Sequence, residues 1–223
     1  MNIYKFKTGL TGLTMLLCLS AFSQTETELW SGYVYKLKLN KKWLLEFQGQ
    51  LRFDENIGHF NKAFTQIGGQ YEVLNNLDLE VSYRYYGVNG GWNVGRLNLN
   101  VKYKWEPQKT DFKFKYRLRF TDALVQYTGQ KVTYLRNSFT VGYKLSKLVD
   151  PYIAYENFYR LNLLKEVRRH RYTFGLAWDL TKRLSLDTFY RYETEVNVKS
   201  PEPVTIIGLG LTQKGKLKKK KKS

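Results

Sequence analysis

Apolar and polar residues alternate along most of the chain, in stretches of about ten residues that each end in a turn. Between Arg96 and Trp105, leucine, valine, tyrosine and tryptophan occupy the odd positions, and arginine, asparagine and lysine occupy the even ones. A period of two places these two sets on opposite faces of a β-strand. The stretches 43–53, 77–85 and 112–120 repeat the pattern. The sequence therefore predicts an all-β protein built on an antiparallel sheet with one polar face.

Strand length and connection length indicate that the apolar face of this sheet meets lipid. Nine to eleven residues is the length with which a tilted strand crosses the hydrocarbon of a membrane. Short turns such as Asn40–Lys42 and Leu74–Asn76 alternate with longer connections such as Asp54–Lys62 and Thr121–Lys131. Outer-membrane barrels have this asymmetry, with the short turns on the periplasmic side. We predict a transmembrane antiparallel up-and-down β-barrel of about 10–12 strands.

Aromatic residues lie at the ends of the predicted strands, whereas the strand centres are aliphatic. Two such bands are typical of a barrel whose rings lie at the two lipid–water interfaces. The band on the short-turn side comprises Trp43, Tyr71, Trp105, Phe112, Tyr143 and Trp178, and the band on the long-loop side comprises Phe53, Tyr85, Phe120, Tyr159, Tyr172 and Tyr192. We call these twelve residues the aromatic girdles.

The alternation allows ten, eleven or twelve strands in the predicted barrel. Seven further segments bring the count to eleven, at roughly 30–39, 63–73, 132–145, 151–160, 168–180, 184–193 and 204–213. Bacterial single-chain barrels have an even number of strands. Twelve strands result if Thr25–Trp30 forms a separate short strand that turns at Ser31-Gly32, and ten result if one segment does not span the membrane. We favour twelve.

The two ends of the chain differ from the barrel in composition. Residues 1–23 combine a basic start, an apolar middle and a small-residue exit, which predicts a secretory signal peptide. The one cysteine, Cys18, lies inside this segment, so that the predicted barrel, residues 24–213, contains none. Residues 214–223 contain seven lysines and no acidic residue, which predicts a disordered, Lys-rich tail. The two ends account for half of the formal net charge of +18.

Basic residues on the polar face are predicted to point into the barrel, because a basic side chain at the lipid midplane costs about 2–4 kcal/mol. This basic ladder comprises Arg96, Lys102, Lys104, Lys113, Lys115, Arg117 and Arg119. Because this basic face is predicted to lie inside an exported barrel, nucleic acid could not reach it, and we expect no nucleic-acid partner. We expect Leu99→Arg and Val101→Arg to impair folding into lipid. We expect Asn98→Arg and Asn100→Arg to be tolerated.

Three segments of the chain resemble the Bacteroidota-type outer-membrane proteins grouped as domain of unknown function 2490. They are Glu28-Leu29-Trp30, LNKKWLLEFQGQLRFDEN and LDLEVSYRYY. The resemblance covers nearly the whole predicted barrel. It implies an outer-membrane location and no established activity, and it identifies no functional residues.

Residues suited to catalysis or metal binding are sparse in this sequence. Outer-membrane lipid hydrolases place a serine within reach of a histidine base, and the position two residues after His170 is not serine. His59 lies in a predicted loop beside Asp54 and Glu55, where a surface histidine is a simpler interpretation than a base or a metal ligand. The sequence has no Cys/His cluster for zinc and no acidic calcium loop. We therefore expect no cofactor.

Three functional classes remain open for the predicted barrel. The first is a narrow channel that favours anions, since basic residues set the sign of attraction. The second is a structural or binding barrel with a filled lumen, because barrels of intermediate strand number can be filled or open. The third is an outer-leaflet lipid-modifying enzyme, which the histidine argument disfavours. The partners we expect are outer-membrane lipid and the barrel-assembly machinery, and the sequence identifies no specific solute or protein partner.

Overall fold

The computed structural model describes residues 25–88, 93–125, 129–162 and 165–217. Within these ranges the chain forms eleven β-strands and no helix. The strands are β1 (Glu26–Lys38), β2 (Trp43–Asp54), β3 (His59–Leu74), β4 (Leu77–Val88), β5 (Asn93–Trp105), β6 (Phe112–Val125), β7 (Lys131–Tyr143), β8 (Val149–Arg160), β9 (Glu166–Asp179), β10 (Leu184–Glu195) and β11 (Val204–Lys216). None of the described residues forms a helix that is long and apolar enough to span a membrane. The predicted signal peptide, residues 1–23, lies outside the described residues.

The eleven strands close into a single barrel. Each strand pairs antiparallel with the next one along the chain, and β1 closes the barrel by pairing parallel with β11, from Glu26 opposite Val204 to Lys38 opposite Lys216. Parallel closure follows from the odd number of strands, because the first and last strands of an up-and-down meander then run in the same direction. We call the edge where β1 begins the N-terminal rim and the edge where β1 and β11 end the C-terminal rim.

Our preference for twelve strands is wrong, because the barrel has eleven, a number within the predicted range of 10–12. The chain does not turn at Ser31-Gly32. Ser31 lies opposite Leu51 and Gly32 opposite Gln50, within a ladder that β1 shares with β2 without interruption. Ordinary backbone pairing on both sides therefore keeps β1 as one strand of 13 residues.

The strands are longer than the alternation predicted, and the connections between them are shorter. Connections contain two to six residues at the C-terminal rim and four to eight at the N-terminal rim. The predicted difference between short turns and long loops is therefore much reduced. Strand β11 continues to Lys216, three residues into the segment that we predicted as a disordered tail, because Lys214 to Lys216 pair with β1. Residues 218–223 lie outside the described residues.

Turns at the C-terminal rim are closed by side-chain oxygen atoms. The Asn40 Oδ1 atom accepts hydrogen bonds from the backbone N–H groups of Lys42 and Trp43, at 2.8 and 2.9 Å. The hydroxyl groups of Ser146 and Thr181 accept equivalent backbone bonds in two other turns. Asn, Ser and Thr favour turns for this reason, since their side chains replace a backbone acceptor.

The distribution of residues across the wall is the reverse of that in a soluble domain, where buried residues are mainly apolar. Strand β4 is the clearest case. Its inward side chains from Asp78 to Tyr86 are buried, whereas Leu79, Val81 and Tyr83 on the outer face are 45–55% exposed. The other strands except β10 expose leucine, isoleucine, phenylalanine or tyrosine on the outer face in the same way. The alternation in the sequence therefore marks an apolar exterior and a polar interior.

Two glycines on the inner face leave room for aromatic rings that lie flat against the wall. A methyl group at Gly208 would overlap the Phe189 ring, and one at Gly175 would overlap the Tyr152 ring. Both rings belong to neighbouring strands, since Phe189 lies directly opposite Gly208 and Tyr152 directly opposite Gly175. Missing side chains at these positions let large rings occupy the interior without widening the barrel.

Candidate binding site in the barrel lumen

Two cavities lie in the space that the described residues of the barrel enclose. The larger has a volume of about 910 Å³ and extends from Glu28 and Glu202 at the N-terminal rim to the side chains of Lys36 and Glu46. The smaller has a volume of about 260 Å³ and lies beside Lys104 and Thr140, toward the C-terminal rim. Five charged residues line both cavities, namely Lys102, Arg117, Glu156, Arg171 and Arg191. These side chains form a layer, which we call the central layer, between the two spaces.

One buried carboxylate organises the central layer. Glu156 is 5% exposed and accepts hydrogen bonds from Arg117, Arg136 and Arg171, at 2.8, 2.8 and 3.0 Å. These residues lie on four consecutive strands, from β6 to β9. Glu193 on β10 continues the network and pairs with Arg171. Charge-assisted hydrogen bonds of this kind are about twice as strong as neutral ones, so the network ties five neighbouring strands together from the inside.

The basic ladder predicted from the sequence lies on the inner face, and four of its members pair with carboxylates. Lys102 pairs with Glu80 and Lys113 with Asp150. The other two pairs join Lys104 to Asp78 and Arg117 to Glu156, both at 2.8 Å. Positive charge on these four positions is therefore largely compensated by acidic residues on neighbouring strands.

The remaining three ladder residues have no described carboxylate within 4 Å. Arg119 donates to the Asn100 Oδ1 atom at 2.5 Å, and Arg96 donates to the Tyr86 hydroxyl at 3.0 Å. Lys115 lines the smaller cavity. The ladder therefore does not act as one continuous strip of charge, because along β6 the paired residues Lys113 and Arg117 alternate with Lys115 and Arg119, which have no ion pair.

Asparagines beside the ladder are more tightly packed than the sequence suggested. Asn98 is fully buried and accepts a hydrogen bond from the Thr121 hydroxyl at 3.0 Å. Asn100 is 3% exposed and bridges Glu80 and Arg119. An arginine would not fit at either position without displacing these partners. The expectation that Asn98→Arg and Asn100→Arg would be tolerated is therefore replaced by an expectation of destabilisation.

A second group of inward residues lies toward the N-terminal rim, and we call it the rim cluster. It comprises Arg52, Lys62, Arg84 and Arg96 together with the aromatic residues Trp30, Phe64 and Tyr86. The Arg52 guanidinium carbon lies 3.6 Å from the centre of the Trp30 ring, and that of Arg84 lies 3.7 Å from the centre of the Phe64 ring. Such stacked contacts favour a cation over the face of an aromatic ring.

Sequence reasoning placed only Arg96 of the rim cluster among the site residues. Arg52 and Arg84 occupy polar positions in clearly alternating strands, so the sequence pattern predicts that their side chains point inward. Arg136 and Arg171, which meet at Glu156, were also missed. What the alternation could not provide was the pairing of strands and their register, which decides which cations find a carboxylate.

The twelve residues of the aromatic girdles lie on the outer face of the barrel. Trp43 packs against Tyr71 with ring centres 4.9 Å apart, and Phe112 packs against Tyr143 at 5.2 Å. Each of these pairs joins directly opposite residues of adjacent strands. Aromatic cross-strand pairs stabilise antiparallel sheets by roughly 0.2–1 kcal/mol each.

The two histidines lie in different surroundings. His59 begins β3 at the N-terminal rim, where its Nδ1 atom lies 3.0 Å from Asp54 Oδ1 and Glu55 is within reach of both. His170 lies on the outer face of β9, with its Nδ1 atom 2.7 Å from the Tyr155 hydroxyl. The contact of His170 is with a phenol, which does not form the histidine–serine arrangement of a hydrolase.

Comparison with known proteins places this barrel in a family. The family model described as "Protein of unknown function (DUF2490)" matches residues 27–201, which extend from the start of β1 into the connection before β11. No curated protein matches the chain. The match covers more than half of the sequence, and the chain therefore belongs to the DUF2490 family of proteins of unknown function.

Proposed function

We propose that this protein is an outer-membrane β-barrel that binds a ligand in its lumen and forms no open channel. The apolar outer face supports the membrane location. Monomeric soluble proteins rarely expose a continuous apolar surface larger than a few hundred Å², whereas the exposed leucines, isoleucines and aromatic residues here occur on every described strand except β10. The predicted signal peptide and insertion by the barrel-assembly machinery belong to the same proposal.

The observation that carries the proposal for the lumen is the ion-pair network of the central layer. Side chains that line an open pore would project into water, but Arg136 and Glu156 are 7% and 5% exposed and contact each other. Lys102 contacts Glu80 in the same layer. Charged residues that are paired and buried fill space and hold neighbouring strands together, which favours a filled lumen over a conducting one. The proposal assigns no catalytic step to any residue.

A narrow anion-favouring channel is the second candidate function. It is favoured by the extent of the larger cavity, which reaches the Lys36–Glu46 ion pair in the half of the barrel nearer the C-terminal rim. Arginines and lysines outnumber acidic residues in the lining of this cavity, and the sign of fixed charge sets the sign of the ion that passes. Conductance across a planar bilayer distinguishes this candidate from the closed barrel.

The membrane location is tested by fractionation of cells that express the full-length chain. We expect the protein in the outer-membrane fraction, and we expect it to migrate faster on a gel before boiling than after, because a closed barrel resists the detergent until heated. An unrelated periplasmic protein serves as the fractionation control. Recovery of the folded chain in the soluble periplasmic fraction would contradict the membrane proposal.

A further inference from the structure

The rim cluster contains two pairs of cations at directly opposite positions of neighbouring strands. Arg52 on β2 lies opposite Lys62 on β3, and Arg84 on β4 lies opposite Arg96 on β5. All four line the larger cavity. Side chains at opposite positions are only about 4.5–5.5 Å apart at Cβ, and like charges there destabilise the sheet. The barrel therefore concentrates positive charge at one place in its interior.

Among the described residues, none of these four cations forms an ion pair within 4 Å, and the carboxylates of Glu28 and Asp54 act on Arg52 and Lys62 only over a longer distance. Arg52 donates to Gln50 at 2.9 Å and Arg84 donates to Gln66 at 2.8 Å, so their partners are neutral amides. The segments outside the description contain no aspartate or glutamate. Glu28 lines the same cavity, but its carboxylate accepts the indole N–H of Trp30 at 2.5 Å and makes no ion pair within 4 Å.

Two other cations of the inner face that lack an ion pair each lie opposite a cation that contacts a carboxylate. Lys115 lies opposite Lys104, which pairs with Asp78, and Arg119 lies opposite Arg136, which pairs with Glu156. Lys102 and Arg117 also lie opposite each other, but each contacts its own carboxylate, Glu80 and Glu156. Burying an unpaired ion costs several kcal/mol. An anion supplied from outside the chain would compensate the positive charge of the rim cluster, as Glu80 and Glu156 compensate that of the central layer.

The Tyr86 hydroxyl marks where such an anion would bind. Arg84 and Arg96 both donate an Nη1 hydrogen bond to this one oxygen, each at 3.0 Å. The Arg96 Nε atom is buried and has no hydrogen-bond partner. Stacking on Phe64 holds the Arg84 guanidinium in place, and a stacked guanidinium still presents N–H groups at its edge. Two guanidinium groups thus converge on one point. Each Arg84 nitrogen already donates to Gln66, Tyr86 or Gln48, whereas Arg96 keeps its Nε donor without a partner.

We propose that the rim cluster binds a tetrahedral oxyanion, phosphate or sulfate, carried by a small molecule that enters through the N-terminal rim. Guanidinium groups match the geometry of these anions and bind them through two parallel hydrogen bonds. A doubly charged group compensates more of the four cations than a carboxylate would. The cavity of about 910 Å³ is within the size range of small-molecule sites, and the rings of Trp30 and Phe64 offer a surface for an apolar part of the ligand. This inference names the ligand of the binding barrel proposed above and rests on that proposal.

Isothermal titration calorimetry of the folded protein in uncharged detergent tests the inference. The probes are sodium phosphate, sodium sulfate and phenyl phosphate, with sodium chloride at equal ionic strength as the reference. We expect phosphate or sulfate to bind at one site, and phenyl phosphate to bind more tightly than either. Both Arg84→Gln and Arg96→Gln should weaken binding by at least about tenfold, since each removes charge-assisted hydrogen bonds.

Arg169→Gln is the matched control, because Arg169 lines the same cavity and the change removes the same charge. It pairs with Glu193 and Glu195 and lies outside the rim cluster, so we expect its affinity to stay within about threefold of wild type. Equal weakening by Arg169→Gln would mean diffuse attraction and would overturn the site. Absence of oxyanion binding to folded wild-type protein would overturn it without any variant.

Failure of this inference and failure of the proposed function give different results. A wild-type barrel that conducts ions would refute the closed lumen, whether or not phosphate binds. A barrel that neither conducts ions nor binds oxyanions would keep the closed lumen and remove the proposed ligand. Gel mobility before boiling checks that each variant is folded. A higher thermal unfolding temperature of wild type in phosphate than in chloride measures binding independently of the calorimetric signal.

Discussion

Replacing Glu156 with glutamine is expected to destabilise the folded barrel by about 3–5 kcal/mol. The change removes the negative charge that Arg117, Arg136 and Arg171 share, and it leaves three guanidinium groups close together in a buried layer. Glutamine keeps the size of the side chain and one acceptor oxygen, so the loss of stability measures the contribution of the negative charge. The measurement is the denaturant concentration that unfolds the barrel in lipid vesicles, followed by gel mobility before boiling.

Glu195→Gln is the control for this prediction. Glu195 pairs only with Arg169 among the described residues, at 3.1 Å, and its side chain is 35% exposed. Partly exposed ion pairs contribute roughly 0–1 kcal/mol, so this variant should unfold close to wild type. A Glu156→Gln barrel that unfolds no earlier than Glu195→Gln would mean that the central layer is hydrated and weakly coupled.

Replacing Val101 with arginine is expected to lower the fraction of protein that folds into lipid vesicles, at a cost of about 2–4 kcal/mol. Val101 lies on the outer face of β5, between Leu79 and Leu118 on the adjacent strands. An arginine there would have to enter the hydrocarbon or bend toward the interface. The folded fraction is read from gel mobility before boiling after incubation of urea-unfolded protein with vesicles.

The same substitution on the other face provides the comparison. Val34 lines the larger cavity, opposite Gln48 and Thr212. Val34→Arg adds the same charge and volume inside the barrel, where water and polar neighbours can accommodate it, so we expect folding close to wild type. Equal losses for both variants, or a greater loss for Val34→Arg, would contradict the assignment of the outer face to lipid.

The faces of the strands were predictable from the sequence because period two is a local property. The inward direction of Arg96, Lys102 and Lys113 required only the identities of their neighbours along the chain. Phe64, Tyr86, Phe158 and Phe189 also line the larger cavity, at positions that follow the same alternation along their strands.

Features that depend on strand register were not predictable in this way. Arg84 meets Arg96 and lacks a carboxylate, whereas Lys102 meets Glu80, and the two cases differ only in which residues the adjacent strands bring opposite or nearby. The number of strands could not be predicted either, because it depends on how the first and last strands pair to close the barrel. The parallel pairing of β1 with β11 joins residues 178 positions apart, and no local pattern signals that contact.

Conductance of the folded wild-type barrel in a planar lipid bilayer is the most direct test of the closed lumen. Insertion is verified first by gel mobility before boiling of the same preparation. We predict no stepwise, voltage-proportional current, because the network around Glu156 and the Lys102–Glu80 pair occupy the central layer. A stable conductance with preference for chloride over potassium would contradict the account and establish the channel instead.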